Sequence, residues 1–397
     1  MELYLQFGHG MKEHCKALLQ KWGQGTVILS PRDLTPEQIN RFSSEFIRVN
    51  GSNLVDPQLY DPRANHHRLV CHEYWPNDFD TSMLLGGSSL RHLLRCLRDL
   101  NNSAKTNKYI VPGIYCRGVN EDWYSLQESI ISESVSILDD KPRLATICLS
   151  FEALRFEEQV ESLLTRSESW DVTGYYIVAE HPDGRYLVED PVWLSNLLNL
   201  CSGLKLQGKE VIVGYCSHQM ICLSSANVDA IASGTWLNVR SFPPAKFQQI
   251  EEDTTSRRVK WYYCPQTLSE YKLLFLDMAY RAGILDQLRS DPSLGSDYAD
   301  ILFSGAQPSS TNYTEQQAFR HYLHCLHEQC SQSRRTSFRE TMDAQLLMLE
   351  IAENTIRYFR RFGVMGQDRD FVQFIDTTRA ALFSLADTRG FVLDRDW

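Results

Sequence analysis

No stretch of about 18 consecutive apolar residues occurs in this chain, so a helical membrane span is not expected and no membrane partner is assigned. The opening residues, MELYLQFGHGMKEH, lack both a basic lead and a long apolar core. A signal peptide is therefore not expected, and the protein is expected in the cytoplasm. Also missing is any Cys-x-x-Cys pair. The 11 cysteines are odd in number and scattered through apolar segments such as TICLSF and LLRCLRDL. That usage suits reduced, buried thiols in a reducing compartment better than a disulfide framework. The sequence HYLHCLHEQC sets His321, His324 and Cys325 on one helix face with His327 and Cys330 close by. One helix rarely supplies a complete tetrahedral site, so no structural zinc and no cofactor is expected. Positive charge is in deficit as well. A net charge of −10 gives no overall attraction to polyanions, so nucleic acid would have to meet a local patch, such as Arg334 with Arg335, or Arg357 with Arg360 and Arg361. Glycine clusters are sparse. The run Leu85-Gly86-Gly87-Ser88-Ser89 matches no phosphate-binding fingerprint and reads as a helix start. Internal repeats and low-complexity tracts are absent.

What is present is a core-forming composition, 43% hydrophobic and 23% charged, arranged in a regular alternation. Short β-branched runs at 3–7, 26–30, 53–56, 109–115, 145–150, 174–180, 210–216 and 228–233 are separated by amphipathic stretches. Such runs read as parallel strands buried on both faces, covered by helices. Thr35, Pro36, Glu37 and Gln38 form a helix start, with a capping threonine and proline in the first turn. Eight strand–helix units over about 240 residues have the size of a closed barrel. The expected class is α/β, a (β/α)₈ TIM barrel with a helical C-terminal extension; a doubly wound open sheet is the alternative. The expected division is a barrel over 1–240, a connector over 241–260 and a helical region over 261–397. In the connector, 241–258 with Pro243, Pro244 and the polar run EEDTTSRR reads as exposed. Helical spacing marks 267–289, 314–332 and 337–363.

Barrel active sites lie at the carboxyl ends of the strands, which makes the residues after each run the candidates. They include His9, Arg32, Asp56, Gln58, Tyr60, Arg63, Arg117, Glu152, Glu180, His218 and Trp236. Asp56 is the foremost, a carboxylate ending a strand before a proline, in a position to act as a general base or to hold a polar ring edge. The loop over 57–83, with His66, His67, His72, Tyr74 and Trp75, reads as a lid or binding loop.

Four segments carry a family resemblance. NLVDPQLY, DVTGYYIVAEHPDGRY, KEVIVGYCSHQMICLSSANVDAIASGTWLNVRSF and KWYYCPQTLSEYKLLFLDMAYRAG follow one another in an order that resembles the tRNA-guanine transglycosylase family, including its DNA-acting relatives that insert 7-deazaguanine bases. The resemblance implies a barrel that exchanges a nucleobase, a glycosyltransferase activity, with the first catalytic aspartate at Asp56. Two signatures of that family are missing. The position three residues after Asp229, where the nucleophilic aspartate would stand, is Ala232, and of the zinc cysteines only Cys264 has a counterpart. On this reading Asp56, with Glu180 or Asp229, forms the catalytic set. His9, Arg32, Gln58, Tyr60, Arg63, Arg117, Glu152, His218 and Trp236 are the binding residues. Two alternatives stand beside it. One is a catalytically silent barrel that binds DNA, RNA or a protein partner as an oligomer or complex subunit. The other is an unrelated barrel enzyme for a small anionic substrate held by Arg32, Arg63 and Arg117.

Overall fold

The computed structural model describes residues 1–248, 259–294 and 296–397. Eight parallel strands carry the architecture: β1 (Glu2–Gln6), β2 (Gly25–Leu29), β3 (Gly51–Val55), β4 (Tyr109–Val111), β5 (Arg143–Leu149), β6 (Gly174–Ala179), β7 (Glu210–Val213) and β8 (Ala230–Ser233). Their order around the sheet, β3-β2-β1-β8-β7-β6-β5-β4, wraps them into a nearly closed (β/α)₈ barrel. Each strand falls on one of the eight β-branched runs. The edges β3 and β4 share no ladder, yet just beyond their ends the Tyr115 N–H donates to the Tyr60 carbonyl at 3.0 Å and stitches the seam.

Strand alternation builds two layers from one sequence pattern. Tyr4, Ile28, Leu54, Cys148, Tyr176, Val178 and Ile212 fill the lumen. Their neighbours Leu5, Val27, Leu29, Val55, Ile147, Tyr175, Ile177 and Val213 face outward and meet the helices. Those helices are α1 (Lys12–Trp22), α2 (Pro36–Ile47), α3 (Gly87–Ser103), α4 (Glu121–Ile137), α5 (Phe151–Arg155), α6 (Glu157–Ser167) and α7 (Pro191–Leu206). The expected start of α2 is realised as a capping box between Thr35 and Gln38.

The outer layer of the barrel is incomplete without the C-terminal half. Strand β7 is followed by a 3₁₀ segment, His218–Ala226, in which all nine residues are buried. Helix α7 is buried from Leu197 through Leu204 without interruption. Elements apolar on every side need cover on every side. A short helix α8 (Ala245–Gln248) precedes a two-stranded antiparallel hairpin, β9 (Trp261–Cys264) and β10 (Ser269–Lys272), then α9 (Leu273–Arg281), α10 (Glu315–Ser333), α11 (Phe338–Arg360) and α12 (Val372–Asp396). Helix α12 packs along α7, α10 lies on α1 and β1, and α11 and α12 cover the 3₁₀ segment. Barrel residues and C-terminal residues such as Leu326, Leu349 and Leu382 form one continuous apolar cluster. Each such side chain contributes about 2 kcal/mol on burial, so the C-terminal helices serve as the barrel's missing outer wall.

The hairpin departs from the helical spacing read over 267–289. Leu268 adopts a left-handed turn at φ 49°, and the alternation places Tyr262, Cys264 and Tyr271 on one buried face. Four-residue strands are too short for a period-2 pattern to stand out from a helical one. No helix among the described residues is long and apolar enough to cross a membrane.

Candidate active site in the barrel mouth

Asp56 follows β3, and Pro57 ends the ladder there. Gln58 then takes a left-handed conformation at φ 54°, which turns the chain so that the hydroxyl of Tyr60 comes back to the carboxylate. It lies 2.9 Å from Oδ1 and 2.8 Å from Oδ2 of Asp56, and the Gln58 N–H donates to Oδ1 at 3.0 Å. Two more hydroxyls arrive from across the lumen. Tyr215, after β7, donates to Oδ2 at 3.0 Å, and Tyr176, in β6, stands 3.4 Å from Oδ2 and 3.1 Å from Oε1 of Gln6. Tyr215 is also left-handed, at φ 55°. Such backbone costs about 1 kcal/mol or more for a side chain with a Cβ, and it persists only where the surroundings enforce it.

Further hydrogen bonds around Gln58 fix this cluster. The Gln58 amide donates to the Tyr215 hydroxyl at 3.0 Å and to Ser30 Oγ at 2.9 Å, and Ser30 in turn donates to Asp33 at 2.7 Å. Gln58 Oε1 accepts the Arg32 N–H at 2.8 Å. Asp56, Gln58 and Tyr60 are all buried. Burial pushes the Asp56 carboxyl up to about 6, against the opposing pull of the Tyr60, Gln58, Tyr215 and Tyr176 donors. The tyrosines are driven the other way from ionisation: burial, then the nearby Asp56 charge, raises Tyr60, Tyr176 and Tyr215 well above the ordinary phenol value. They are neutral donors.

A roof covers the cluster. Residues 241–248, read from the sequence as part of an exposed connector, instead carry buried Phe242, Lys246 and Phe247. Phe242 lies 5.0 Å from the Tyr60 ring and 5.4 Å from Tyr215, and Phe247 lies 5.1 Å from Tyr60. Phe242 bridges to Glu180 beyond β6, and Arg32 Nε donates to the Lys246 carbonyl at 2.7 Å. Pro243 and Pro244 make a turn between two large apolar rings, and the rings drive the turn inward; the polarity around them concealed this. The polar run 251–258 lies outside the described residues.

Beside the roof, at the β3–β4 seam, a cavity of about 360 Å³ is lined by Tyr60, Asp61, Arg63, Thr81, Tyr115 and Arg117 among others. Arg63 and Arg117 are exposed on its rim, and the Arg63 guanidinium donates to Thr81 at 3.2 Å. The Tyr115 hydroxyl donates to Glu180, which also accepts the Phe151 N–H at 3.2 Å. Cys148 stands within the influence of both carboxylates: after burial, Asp56 and then more weakly Glu180 help raise its thiol. The lid-like loop over 57–83 is packed down, with His72, Tyr74 and Trp75 buried and the Tyr74 hydroxyl on the Pro57 carbonyl at 2.7 Å.

The remaining candidates are not gathered here. Asp229 precedes β8, at the opposite end of the barrel from the mouth, where it pairs with Lys205 at 2.8 Å and caps the Val211 N–H at 2.7 Å. The Val-Asp pair opens the strand instead of closing it, so this carboxylate does structural work. His218 is also removed from the mouth. It is enclosed by the rings of Tyr263, Tyr322, Phe371 and Tyr186, and burial lowers it to about 4. His9 is exposed and gives its carbonyl to Trp236 Nε1 at 3.1 Å, while the Trp236 ring meets Phe319 edge-on at 5.0 Å. Glu152 is exposed in the first turn of α5. Of the surface arginines, Arg357 pairs with Glu353 and Arg360 with Asp370. His321 bonds the Tyr263 carbonyl at 2.7 Å, and no group of three or more His, Cys, Asp or Glu among the described residues could hold a metal ion.

Sequence reading missed Tyr176, Tyr215, Gln6, Phe242 and Phe247. Two of these carry a signal: Tyr176 and Gln6 lie an even number of residues from other lumen positions, Glu180 and Tyr4. Tyr215 reaches inward through its backbone conformation, which no side-chain pattern reveals.

The class defined by this fold is therefore the (β/α)₈ barrel, with a tyrosine-bound carboxylate at its carboxyl-end mouth. No protein-family model matches the chain, and no curated protein matches it. Among solved structures it is similar to the carboxyl transferase domain of Rhizobium etli pyruvate carboxylase in complex with pyruvate, at 9% identity over 99% of this chain and 78% of that one, TM-score 0.35. It is also similar to D-psicose 3-epimerase from Clostridium cellulolyticum H10 with D-tagatose, at 11% identity over 62% of this chain and 91% of that one, TM-score 0.28.

Proposed function

We propose that the barrel mouth is the active site of an enzyme that works by general acid–base chemistry on Asp56, with a flat, polar ring of the nucleobase kind as substrate. One observation carries the reading: a fully buried carboxyl, raised to about 6, held by three tyrosine hydroxyls at the strand ends. A group with that affinity for protons gives and takes them near neutral pH, which a surface aspartate does not. The aromatic surroundings support the ring. Phe242 and Phe247 lie against Tyr60 and Tyr215, so displacement of these two rings leaves an aromatic-walled slot beside the carboxylate. Asp56 then meets the polar edge of the ring, and the cavity at the β3–β4 seam, with Arg63 and Arg117, is the way in. The resemblance to the transglycosylases, which puts the first catalytic aspartate at Asp56, agrees with this. A covalent second carboxylate is not part of the reading, because Ala232 stands at the nucleophile position and Asp229 serves the far end of the barrel.

A silent binding barrel is the competing reading, favoured by the roof that seals Asp56. Ligand-observed NMR against a panel of purines, pyrimidines and 7-deazapurines tests the site, and chromatography for base release or exchange from a nucleoside of any bound heterocycle separates the enzyme from the silent binder. The expected result is binding of at least one heterocycle to the wild type, strengthened in Phe247→Ala and abolished in Asp56→Asn. Absence of binding to both the wild type and the opened Phe247→Ala variant would overturn the acid–base enzyme reading.

A further inference from the structure

A second polar recess lies on the same carboxyl-end face, on the β8 side, away from the Asp56 cluster. It has a volume of about 310 Å³ and is bounded by the loop after β8, the β9–β10 hairpin and α10. Four cationic side chains line it, Arg240, Lys260, Lys272 and Arg369, against two carboxylates, Glu270 and Glu315. The innermost group is an Arg–Glu–Arg triad, with Arg240 and Glu270 buried and Arg369 partly exposed: Arg240 bonds Glu270 Oε1 at 3.0 Å, and Arg369 bonds Oε2 at 2.7 Å. One carboxylate between two guanidiniums leaves an excess positive charge in a place poorly reached by water. Arg240 also spends its Nε and Nη2 on the Gly234 and Thr235 carbonyls, whereas Arg369, among the described residues, hydrogen-bonds through Nη1 alone.

A separate observation points to a ligand here. Thr235 lines the same recess, is 2% exposed, and its Oγ1 has no hydrogen-bond partner among the described residues. A buried hydroxyl left unmade costs about 1–3 kcal/mol, so its presence beside unbalanced cations calls for an acceptor. Barrels commonly hold phosphate in the loops after their last two strands, the position this recess occupies.

We propose that this recess binds a phosphate group, with Thr235 Oγ1, the N–H edge of Arg369 not spent on Glu270 and Lys272 Nζ as its donors and Arg240–Glu270 as the fixed base beneath. A recess of this size, on a chain of net charge −10, suits a small phosphate-bearing molecule over a nucleic-acid backbone.

Isothermal titration of the full chain with inorganic phosphate, at constant ionic strength set by chloride, tests it. The expected result is saturable binding with Kd of about 1 mM or tighter, weakened about tenfold in Lys272→Gln and in Thr235→Val. Among the described residues Lys272 hydrogen-bonds Gln367 at the surface and lies 5.1 Å from the Trp261 ring centre, contacts that no buried core depends on, so its variant folds and decides the matter where Thr235→Val does not. Glycerol 3-phosphate binding tighter than inorganic phosphate assigns the site to an ester, and equal or weaker binding assigns it to the free ion. No saturation with either probe, or a Kd in Lys272→Gln equal to the wild-type value, would overturn the proposal.

Discussion

Gly214 leaves the space that the Tyr176 hydroxyl fills: a Cβ at position 214 would stand 2.3 Å from that oxygen. The tyrosine hydroxyl reaches Asp56 and Gln6 only because the residue that follows β7 has no side chain. Gly214→Ala must therefore push Tyr176 aside. The expected cost is about 1–3 kcal/mol in urea unfolding, as for other overpacked cores. Phe substituted at 176 in the same background removes the clashing hydroxyl and should restore part of the loss. A Gly214→Ala variant as stable as the wild type would show that the lumen accommodates the methyl without moving Tyr176.

The raised Asp56 carboxyl has a definite sign in pH dependence. Below about pH 4 the group is protonated in both folded and unfolded chains. Between about 4 and 6 the unfolded chain releases the proton while the folded chain keeps it, so stability from this site falls as pH rises through that window. A shift from 3.8 to about 6 corresponds to about 3 kcal/mol. Asp56→Asn cannot titrate. Urea melts of both proteins at pH 4.5 and 7.5 should show the wild type losing stability relative to Asp56→Asn by an amount of that order, and a constant difference would mean that Asp56 is ionised throughout.

Asp229 and Asp56 are both strand-end carboxylates, yet they should behave oppositely. Asp229→Asn breaks the Lys205 pair at the amino end of the barrel and should cost about 1 kcal/mol, since the pair is partly exposed. Ligand binding at the mouth should be untouched. Loss of heterocycle binding in Asp229→Asn with no change in Tm would put this residue in the site.

The triad beneath the phosphate recess is a stability element in its own right. Burial favours a neutral Glu270, but Arg369 and Arg240 outweigh it and hold the carboxyl below its ordinary value. Glu270→Gln strands Arg240, 3% exposed by side chain, without its counter-charge. Breaking one partner of a buried pair costs about 3–5 kcal/mol, which should appear as a large drop in Tm. Glu270→Gln with a Tm within a degree or two of the wild type would mean that water or another group compensates Arg240.

The barrel was legible in the chain because each lumen strand is buried on both faces. A parallel sheet demands continuous apolar runs, and eight of them separated by amphipathic stretches leave few other ways to cover them. Asp56 was legible for a related reason, since a carboxylate followed by proline at the end of such a run has to stand at the mouth. What surrounds it was not. Tyr176 and Tyr215 come from strands more than a hundred residues away, and their convergence on Asp56 depends on barrel curvature, on the left-handed turn at Tyr215 and on the empty side of Gly214. His218 and Asp229 sit in local patterns as suggestive as that of Asp56, but the first is walled in by C-terminal aromatics and the second opens its strand. The roof from Ser241 to Gln248 and the docking of α10, α11 and α12 onto the barrel were likewise decided by tertiary structure. Short polar segments and amphipathic helices fix which faces must be buried, while the partner that buries them is chosen only when the whole chain closes into one core.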